Sequence, residues 1–176
     1  MSRSTAEHPR GAIPRGAAPL APGCLVLVDS SALIYLVEEA ASSPRRAAVE
    51  GFFADAAASE ARLVASTIAW AELLASPLAR GDRELADGYR RLLSDSSRIV
   101  LREADVAVAE GAAALSASLP PAQRRSLSSN DFLHIATALV LGADAVLTND
   151  EAWRSVPRCP RVLLVDELAA GLEAWA

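Results

Sequence analysis

The chain has 176 residues, of which 52% are hydrophobic, and its formal net charge at pH 7 is −5. This length allows one domain with a sizeable core, and the apolar content excludes a largely disordered protein. No segment resembles the apolar stretch of a signal peptide or a membrane span, so we expect a cytoplasmic protein with no membrane partner. Because the net charge is negative, any contact with nucleic acid must be local.

Residues 1–23 differ in character from the rest of the chain. They contain several prolines and glycines and show no apolar periodicity. We therefore predict a flexible N-terminal extension over residues 1–23 and a folded domain over residues 24–176. Two cysteines, Cys24 and Cys159, lack the spacing of a metal site, and we expect both to be free thiols.

From Cys24 onward, short apolar runs alternate with longer segments that carry helix capping signals. In chain order we predict the strand Cys24–Asp29, the helices Ala32–Glu39 and Pro44–Ser59, the strand Arg62–Ala65, a helix from Ser66 or Thr67 to about Leu78, the helix Asp82–Ser94, the strand Arg98–Leu101, the helix Ala104–Leu119, the loop Ala122–Leu127, the helix Ser128–Leu141, the strands Ala145–Thr148 and Arg161–Val165, and a last short helix. This alternation predicts an α/β sandwich around a mainly parallel sheet.

Two acids are expected at the edge of the sheet where the strands end. Asp29 closes the first strand and Asp150 follows the fourth, whereas Asp144 precedes the fourth strand and belongs to the opposite edge. Chemistry in parallel α/β sheets gathers at the carboxyl ends of the strands. Helix capping is the alternative role for Asp29 and Asp150, since aspartate caps helices well.

Two further acids lie on predicted helices. Glu72 is surrounded by apolar residues and has no cation at helical spacing, which favours a side chain directed into a site over one directed into solvent. Asp131 lies in the first turn of its helix, where the helix dipole alone could explain it, although Ser128 and Asn130 are better capping candidates. We interpret the nearby His134 as a packed or capping residue.

Four carboxylates at one sheet edge would repel one another unless a cation lay among them. A set of oxygen ligands without a histidine or cysteine cluster suits hard cations such as Mg²⁺ or Mn²⁺. Such a centre activates water and stabilises charge on a phosphodiester. The acids therefore predict a metal-dependent hydrolase that acts on phosphodiester bonds.

The motifs VDSSALI, STIAWAELL, NDFLHIATAL and LTNDEAW, with Asp29, Glu72, Asp131 and Asp150, resemble in order and spacing the four acidic motifs of PIN-domain ribonucleases. The closest likeness is to VapC-type toxins of bacterial toxin–antitoxin pairs, and it runs from about Leu25 to Val165.

This resemblance implies a three-layer α/β/α sandwich with a parallel sheet of order 3-2-1-4-5. It also implies Mg²⁺- or Mn²⁺-dependent cleavage of RNA by a homodimer that a cognate antitoxin inhibits. The four acids would be the metal ligands. Ser31 and Thr148 match the family's small hydroxyl positions beside the first and last acids. Trp153 stands where the family often has phenylalanine, and we interpret it as a packing residue.

RNA also requires cations, and every basic residue in this chain is arginine. Three groups lie in or beside loops that we expect near the acidic edge, and they are our candidates for phosphate contacts: Arg45 and Arg46, Arg124 and Arg125, and Arg154 and Arg158. For each of them, a solvated surface charge is the alternative.

The absence of lysine argues against other α/β classes. Haloacid-dehalogenase-type phosphatases, response-regulator receivers and P-loop proteins all need a lysine at the site. Two alternatives stay open at this stage: a PIN-like module that binds RNA or a partner without cleaving, and a housekeeping RNA-processing nuclease.

Overall fold

The computed structural model describes residues 20–94 and 98–171. Its strands are β1 Leu25–Val28, β2 Arg62–Ser66, β3 Ile99–Arg102, β4 Ala145–Thr148 and β5 Arg161–Leu164. Its α-helices are α1 Ser30–Glu38, α2 Pro44–Ala58, α3 Thr67–Arg80, α4 Arg83–Ser94, α5 Val106–Ser118, α6 Pro121–Arg124, α7 Ser129–Leu141 and α8 Val165–Ala169. A 3-10 helix covers Glu151–Ser155.

The five strands form one parallel sheet of order β3-β2-β1-β4-β5, which confirms the predicted order. β1 lies at the centre, where Leu27 is in register with Val64 of β2 and with Val146 of β4. All four residues of β1 are buried, as its continuous apolar sequence predicts for a strand covered on both faces.

Alternate residues of the strands point into two separate cores, so the fold has three layers. Val26 and Val28 pack with α1, α2, α3, α4 and α8 on one face of the sheet. Leu27 packs with α5 and α7 on the other face. On that second face the backbone of α5 comes close to α7 at Gly111, where an added Cβ would lie 3.4 Å from the Cβ of Ala136.

Several boundaries differ from the prediction. Residues 121–124 form the short helix α6 where we predicted a loop, because Pro121 occupies the favourable first helical position. Helix α5 begins at Val106, not Ala104, because the Asp105 side chain caps it by accepting the backbone N–H of Val108. Helix α3 continues beyond Leu78 to Arg80 and ends at Gly81 in the left-handed conformation.

Residues 1–19 of the predicted extension, residues 1–23, lie outside the described residues. Of its last residues, Leu20 is 2% exposed and packs in the core with β1 and α2, and the Gly23 N–H donates to the Ser59 carbonyl. The packed part of the chain therefore begins before Cys24. Cys24 and Cys159 are free, as predicted. Within the described residues, no helix combines the length and the apolar character needed to cross a membrane.

Candidate metal centre

Asp29 follows β1 directly and is buried at the carboxyl edge of the sheet. Its Oδ1 atom accepts the backbone N–H of Ser30 at 2.7 Å, so Asp29 is the N-cap of α1. Its Oδ2 atom accepts two hydroxyl groups, Ser31 Oγ at 2.7 Å and Thr148 Oγ1 at 2.8 Å. The capping role and a position in the predicted site therefore coexist in one side chain.

The hydroxyl of Thr148 connects the first and last acids. It donates to Asp29 Oδ2 and accepts the backbone N–H of Asp150 at 3.1 Å. Ser31 makes a second connection, because its hydroxyl accepts the backbone N–H of Asn149 at 3.1 Å. Since β1 and β4 are parallel neighbours, these hydrogen bonds hold both strand ends together. Ser31 and Thr148 therefore lie where the sequence placed them, beside Asp29 and Asp150.

Glu72 reaches the same edge from α3. Its Oε1 atom accepts Nδ2 of Asn130 at 2.7 Å, and its Oε2 atom lies 3.0 Å from Nε2 of His134. Burial raises the pKa of Glu72, but hydrogen bonds, chiefly that from His134, outweigh burial and bring this pKa to about 2. The Glu72 carboxylate is therefore bound by protein side chains and is not freely solvated, as its apolar neighbours indicated.

His134 is a packed residue, as predicted, but it also touches the acids. Its side chain is 1% exposed, and its ring stacks on Trp153 with 6.0 Å between the ring centroids. Burial lowers the pKa of His134, while the bond to Glu72 and the charge of Asp29 raise it, and the net direction is above the ordinary value. Trp153 is fully buried, which confirms its packing role.

Asp131 and Asp150 both make capping hydrogen bonds. Asp131 forms a capping box with Ser128: its Oδ2 atom accepts the Ser128 N–H at 2.6 Å, and its own N–H donates to the Ser128 hydroxyl. Asp150 Oδ1 accepts the Ala152 N–H at the start of the 3-10 helix. Burial raises the pKa of Asp150, and the charges of Asp131 and Asp29 add to this increase.

Within the described residues, one group of side chains is spaced to hold a metal ion. One oxygen of Asp29, one oxygen of Glu72 and one nitrogen of His134 lie within 4.8 Å of one another. The ion pairs formed by the described residues include no arginine bound to any of the four acids. Because buried carboxylates need a compensating positive charge, the two carboxylates of this group fit a divalent cation. Asp131 and Asp150 are not members of this group, but they lie close to it: the charge of Asp131 raises the pKa of His134, and the charges of Asp131 and Asp29 raise the pKa of Asp150.

The candidate arginines divide into two sets. In the first set, Arg45 binds Asp166 and lies over the Tyr35 ring, Arg46 binds Glu50, and Arg154 binds Glu167. The second set comprises Arg124, Arg125 and Arg158, which are exposed and belong to no ion pair among the described residues.

Two asparagines at the site were not predicted as functional residues. Asn130 holds Glu72, and Asn149 connects the site to Tyr35 and to Asp166 through its side-chain amide. Each asparagine directly precedes a predicted ligand, and this repeated Asn-Asp pair was the signal available in the sequence. Its meaning depends on partners distant in the chain, which local pattern does not identify.

The family model for the PIN domain matches residues 26–158. The chain belongs to the PIN-domain family. The matched range contains all four acids, Ser31 and Thr148. No curated protein sequence matches the chain.

Solved structures similar to this PIN domain include toxin–antitoxin proteins. VapBC2 from Rickettsia felis, bound to a DNA fragment from its promoter, aligns with TM-score 0.63 and 14% identity over 86% of this chain and 99% of that chain. DNA-bound VapBC from Salmonella typhimurium gives TM-score 0.63 and 16% identity over 81% and 98% of the two chains. The sarcin-ricin-loop-cleaving toxin VapC20 of Mycobacterium tuberculosis gives TM-score 0.53 and 16% identity over 69% and 86%. At these identities the likeness is one of fold.

Proposed function

We propose that this PIN domain is a metal-dependent endoribonuclease that hydrolyses phosphodiester bonds of RNA. The observation that carries the proposal is the close approach of Asp29, Glu72 and His134 at the carboxyl edge of the sheet, flanked by Asp131 and Asp150. Membership of the PIN family supports it independently. A fold that brings Asp29 and Glu72 together without arginine partners, with Asp131 and Asp150 close enough to add their charges, is suited to metal-dependent chemistry rather than to ion pairing.

In this proposal Asp29, Glu72, Asp131 and Asp150 hold Mg²⁺ or Mn²⁺. When bound there, such an ion would lower the pKa of a coordinated water and would stabilise negative charge on the phosphate. Ser31 and Thr148 fix the orientation of Asp29 by donating to its Oδ2 atom, which leaves Oδ1 directed towards His134. The carboxylates therefore have defined positions before the cation binds, and less free energy is spent on ordering them.

We also propose that phosphate groups of the RNA contact the unpaired arginines. Arg124 and Arg125 precede the helix that carries Asp131, and Arg158 follows the 3-10 helix that begins after Asp150. Because these side chains have no acidic partner among the described residues, they need not break an ion pair to bind phosphate. Arg45, Arg46 and Arg154 are weaker candidates, since each would first have to release an acid.

The cellular role we propose is that of a cytoplasmic toxin of a toxin–antitoxin pair, acting as a homodimer that its cognate antitoxin inhibits. Structural likeness to chains from VapBC complexes supports this role. The test is co-expression with the product of a small neighbouring reading frame. We expect that product to co-purify with this chain and to suppress its cleavage of RNA. Absence of any such partner, with cleavage intact, would favour a housekeeping nuclease.

The experiment that tests the activity is cleavage of RNA by the purified chain with Mn²⁺, with Mg²⁺ and with EDTA, beside the variant Asp29→Asn. We expect cleavage that requires both the metal and Asp29, because the asparagine side chain of the variant would keep the capping oxygen but lose the charge. Circular dichroism of the variant verifies that the fold is intact. Cleavage by Asp29→Asn at the wild-type rate would refute the proposed centre.

A further inference from the structure

His134 touches two of the proposed ligands although it is not one of the four acids. Its Nε2 atom lies 3.0 Å from Oε2 of Glu72 and 3.8 Å from Oδ1 of Asp29. An ionised carboxylate only accepts hydrogen bonds, so the nitrogen at 3.0 Å must carry the proton and donate it. His134 therefore makes a directed hydrogen bond to Glu72.

The imidazole ring is fixed from two other directions. Its Nδ1 atom lies 2.9 Å from the hydroxyl of Ser66, which is fully buried, and its face stacks on Trp153. Ser66 is the N-cap of α3, and its hydroxyl also accepts the N–H of Ala69. Since α3 is the helix that carries Glu72, the orientation of His134 is tied to the start of the same helix whose carboxylate it binds.

Glu72 needs such support because its side chain is long and partly exposed. Its exposed fraction is 29%, and fixing a glutamate side chain costs up to about 2 kcal/mol of rotamer entropy. Its partners include exposed Asn130 on Oε1 and buried His134 on Oε2, and a hydrogen bond from Ser30 also lowers the pKa of Glu72. Water can compete for the bond at the exposed residue but is excluded from the ring of His134, so His134 is the stronger restraint.

We propose that His134 is a positioning residue whose Nε2–H group holds the Glu72 carboxylate in the orientation that binds the metal ion. This inference rests on the proposed function, because it assumes that Glu72 is a metal ligand. Groups that orient metal ligands without touching the metal typically contribute about 10- to 100-fold to metal affinity. His134 then strengthens metal binding even though it does not bind the ion.

A matched pair of variants separates this role from simple packing. In His134→Gln the amide nitrogen lies the same number of bonds from Cα as Nε2, so it can still donate to Glu72. In His134→Asn the amide reaches only the position of Nδ1, so the bond to Ser66 can persist while the bond to Glu72 is lost. Both variants lose the stacking on Trp153, and both should lower the melting temperature of the metal-free protein.

We expect the two variants to differ in Mn²⁺ affinity, measured by titration followed by electron paramagnetic resonance. The Mn²⁺ affinity of His134→Asn should be about 10- to 100-fold weaker than that of wild type, and the affinity of His134→Gln should stay within a few-fold of wild type. Equal affinity of His134→Asn and wild type would overturn the inference. A nitrogen coupling in the Mn²⁺ spectrum of the wild type would also overturn it, because His134 would then be a direct ligand.

Two further comparisons keep the result interpretable. If neither His134 variant folds, Ser66→Ala removes the bond behind the ring together with the N-cap hydrogen bond to Ala69. It should weaken Mn²⁺ binding by about tenfold, and unchanged affinity would count against the inference. Failure of the wild type itself to bind Mn²⁺ and to cleave RNA would reject the proposed function. Normal binding and cleavage by the wild type with no loss in His134→Asn would reject only the positioning role.

Discussion

Replacing Thr148 by valine tests whether one buried hydroxyl organises the acids. Thr148 and Thr137 are both fully buried, and valine has nearly the same shape as threonine. The Thr148 hydroxyl donates to Asp29 and accepts from the Asp150 backbone, whereas the Thr137 hydroxyl donates only to the Leu133 carbonyl of its own helix. Thr137→Val is therefore a matched control that leaves the acids untouched.

The cost of each substitution follows from the bonds removed. A hydrogen bond to a charged group contributes about 1.5–3 kcal/mol, and a backbone N–H left without its acceptor costs up to about as much again when buried. Asp150 is only half-buried, so water can replace part of the second bond. We therefore expect Thr148→Val to lower the free energy of unfolding by about 3 kcal/mol, against about 1 kcal/mol for Thr137→Val.

The difference of about 2 kcal/mol corresponds to a melting temperature about 4–8 °C below that of the control. Thermal unfolding in EDTA measures this difference in melting temperature in the absence of metal. Titration with Mn²⁺ should then give an affinity about 10- to 100-fold weaker for Thr148→Val and near wild type for Thr137→Val. If the two variants bind Mn²⁺ equally well, Thr148 does not orient Asp29, and the reasoning is wrong.

Three other predictions concern charge and chain length. Because folding raises the pKa of Asp150, ionisation of this carboxyl lowers the free energy of unfolding at pH values above that pKa. Asp150→Asn should therefore raise the melting temperature in EDTA at pH 7 and abolish metal-dependent cleavage. An unchanged or lower melting temperature would contradict the raised pKa. Deleting residues 1–19 should leave the melting temperature nearly unchanged. Deleting residues 1–23 also removes buried Leu20 and should lower the melting temperature by at least about 6 °C. Equal melting curves for the two deletions would show that packing of Leu20 does not contribute to stability. Replacing Arg124 and Arg125 together by alanine should weaken RNA binding and reduce its logarithmic salt dependence by about 1.4, and an unchanged slope would remove both from the interface.

Much of the fold could be predicted because its signals are local. The apolar run of β1 and the capping residues Ser128 and Gly142 of α7 define their elements without reference to the rest of the chain. The 3-10 helix Glu151–Ser155 was not predicted, because five residues carry too little periodicity to identify a helix. The core position of Leu20 was not predicted for a different reason: its neighbours are rich in proline and glycine, and a single apolar residue among them carries no periodic pattern.

The acids of the candidate site could be predicted from the sequence, but the side-chain hydrogen bonds that connect them to other residues could not. Asp29 and Asp150 follow from the geometry of parallel strands, which places the ends of β1 and β4 side by side. Two hydrogen-bond partners of Glu72, Asn130 and His134, lie 58 and 62 positions away, and no local pattern connects them to Glu72. The sequence predicts a packed or capping histidine at position 134, because nothing in it shows that the Nε2 atom faces the Glu72 carboxylate.

The capping positions of Asp29 and Asp131 affect how strongly this centre should retain a cation. Each carboxylate lies at the N-terminus of a helix, where the aligned peptide dipoles supply about half a positive charge. Part of the negative charge that would attract a metal ion is thus already balanced by the backbone. We expect the cation to exchange readily and to be removed by mild chelation, so that occupancy follows the free metal concentration instead of being fixed when the chain folds.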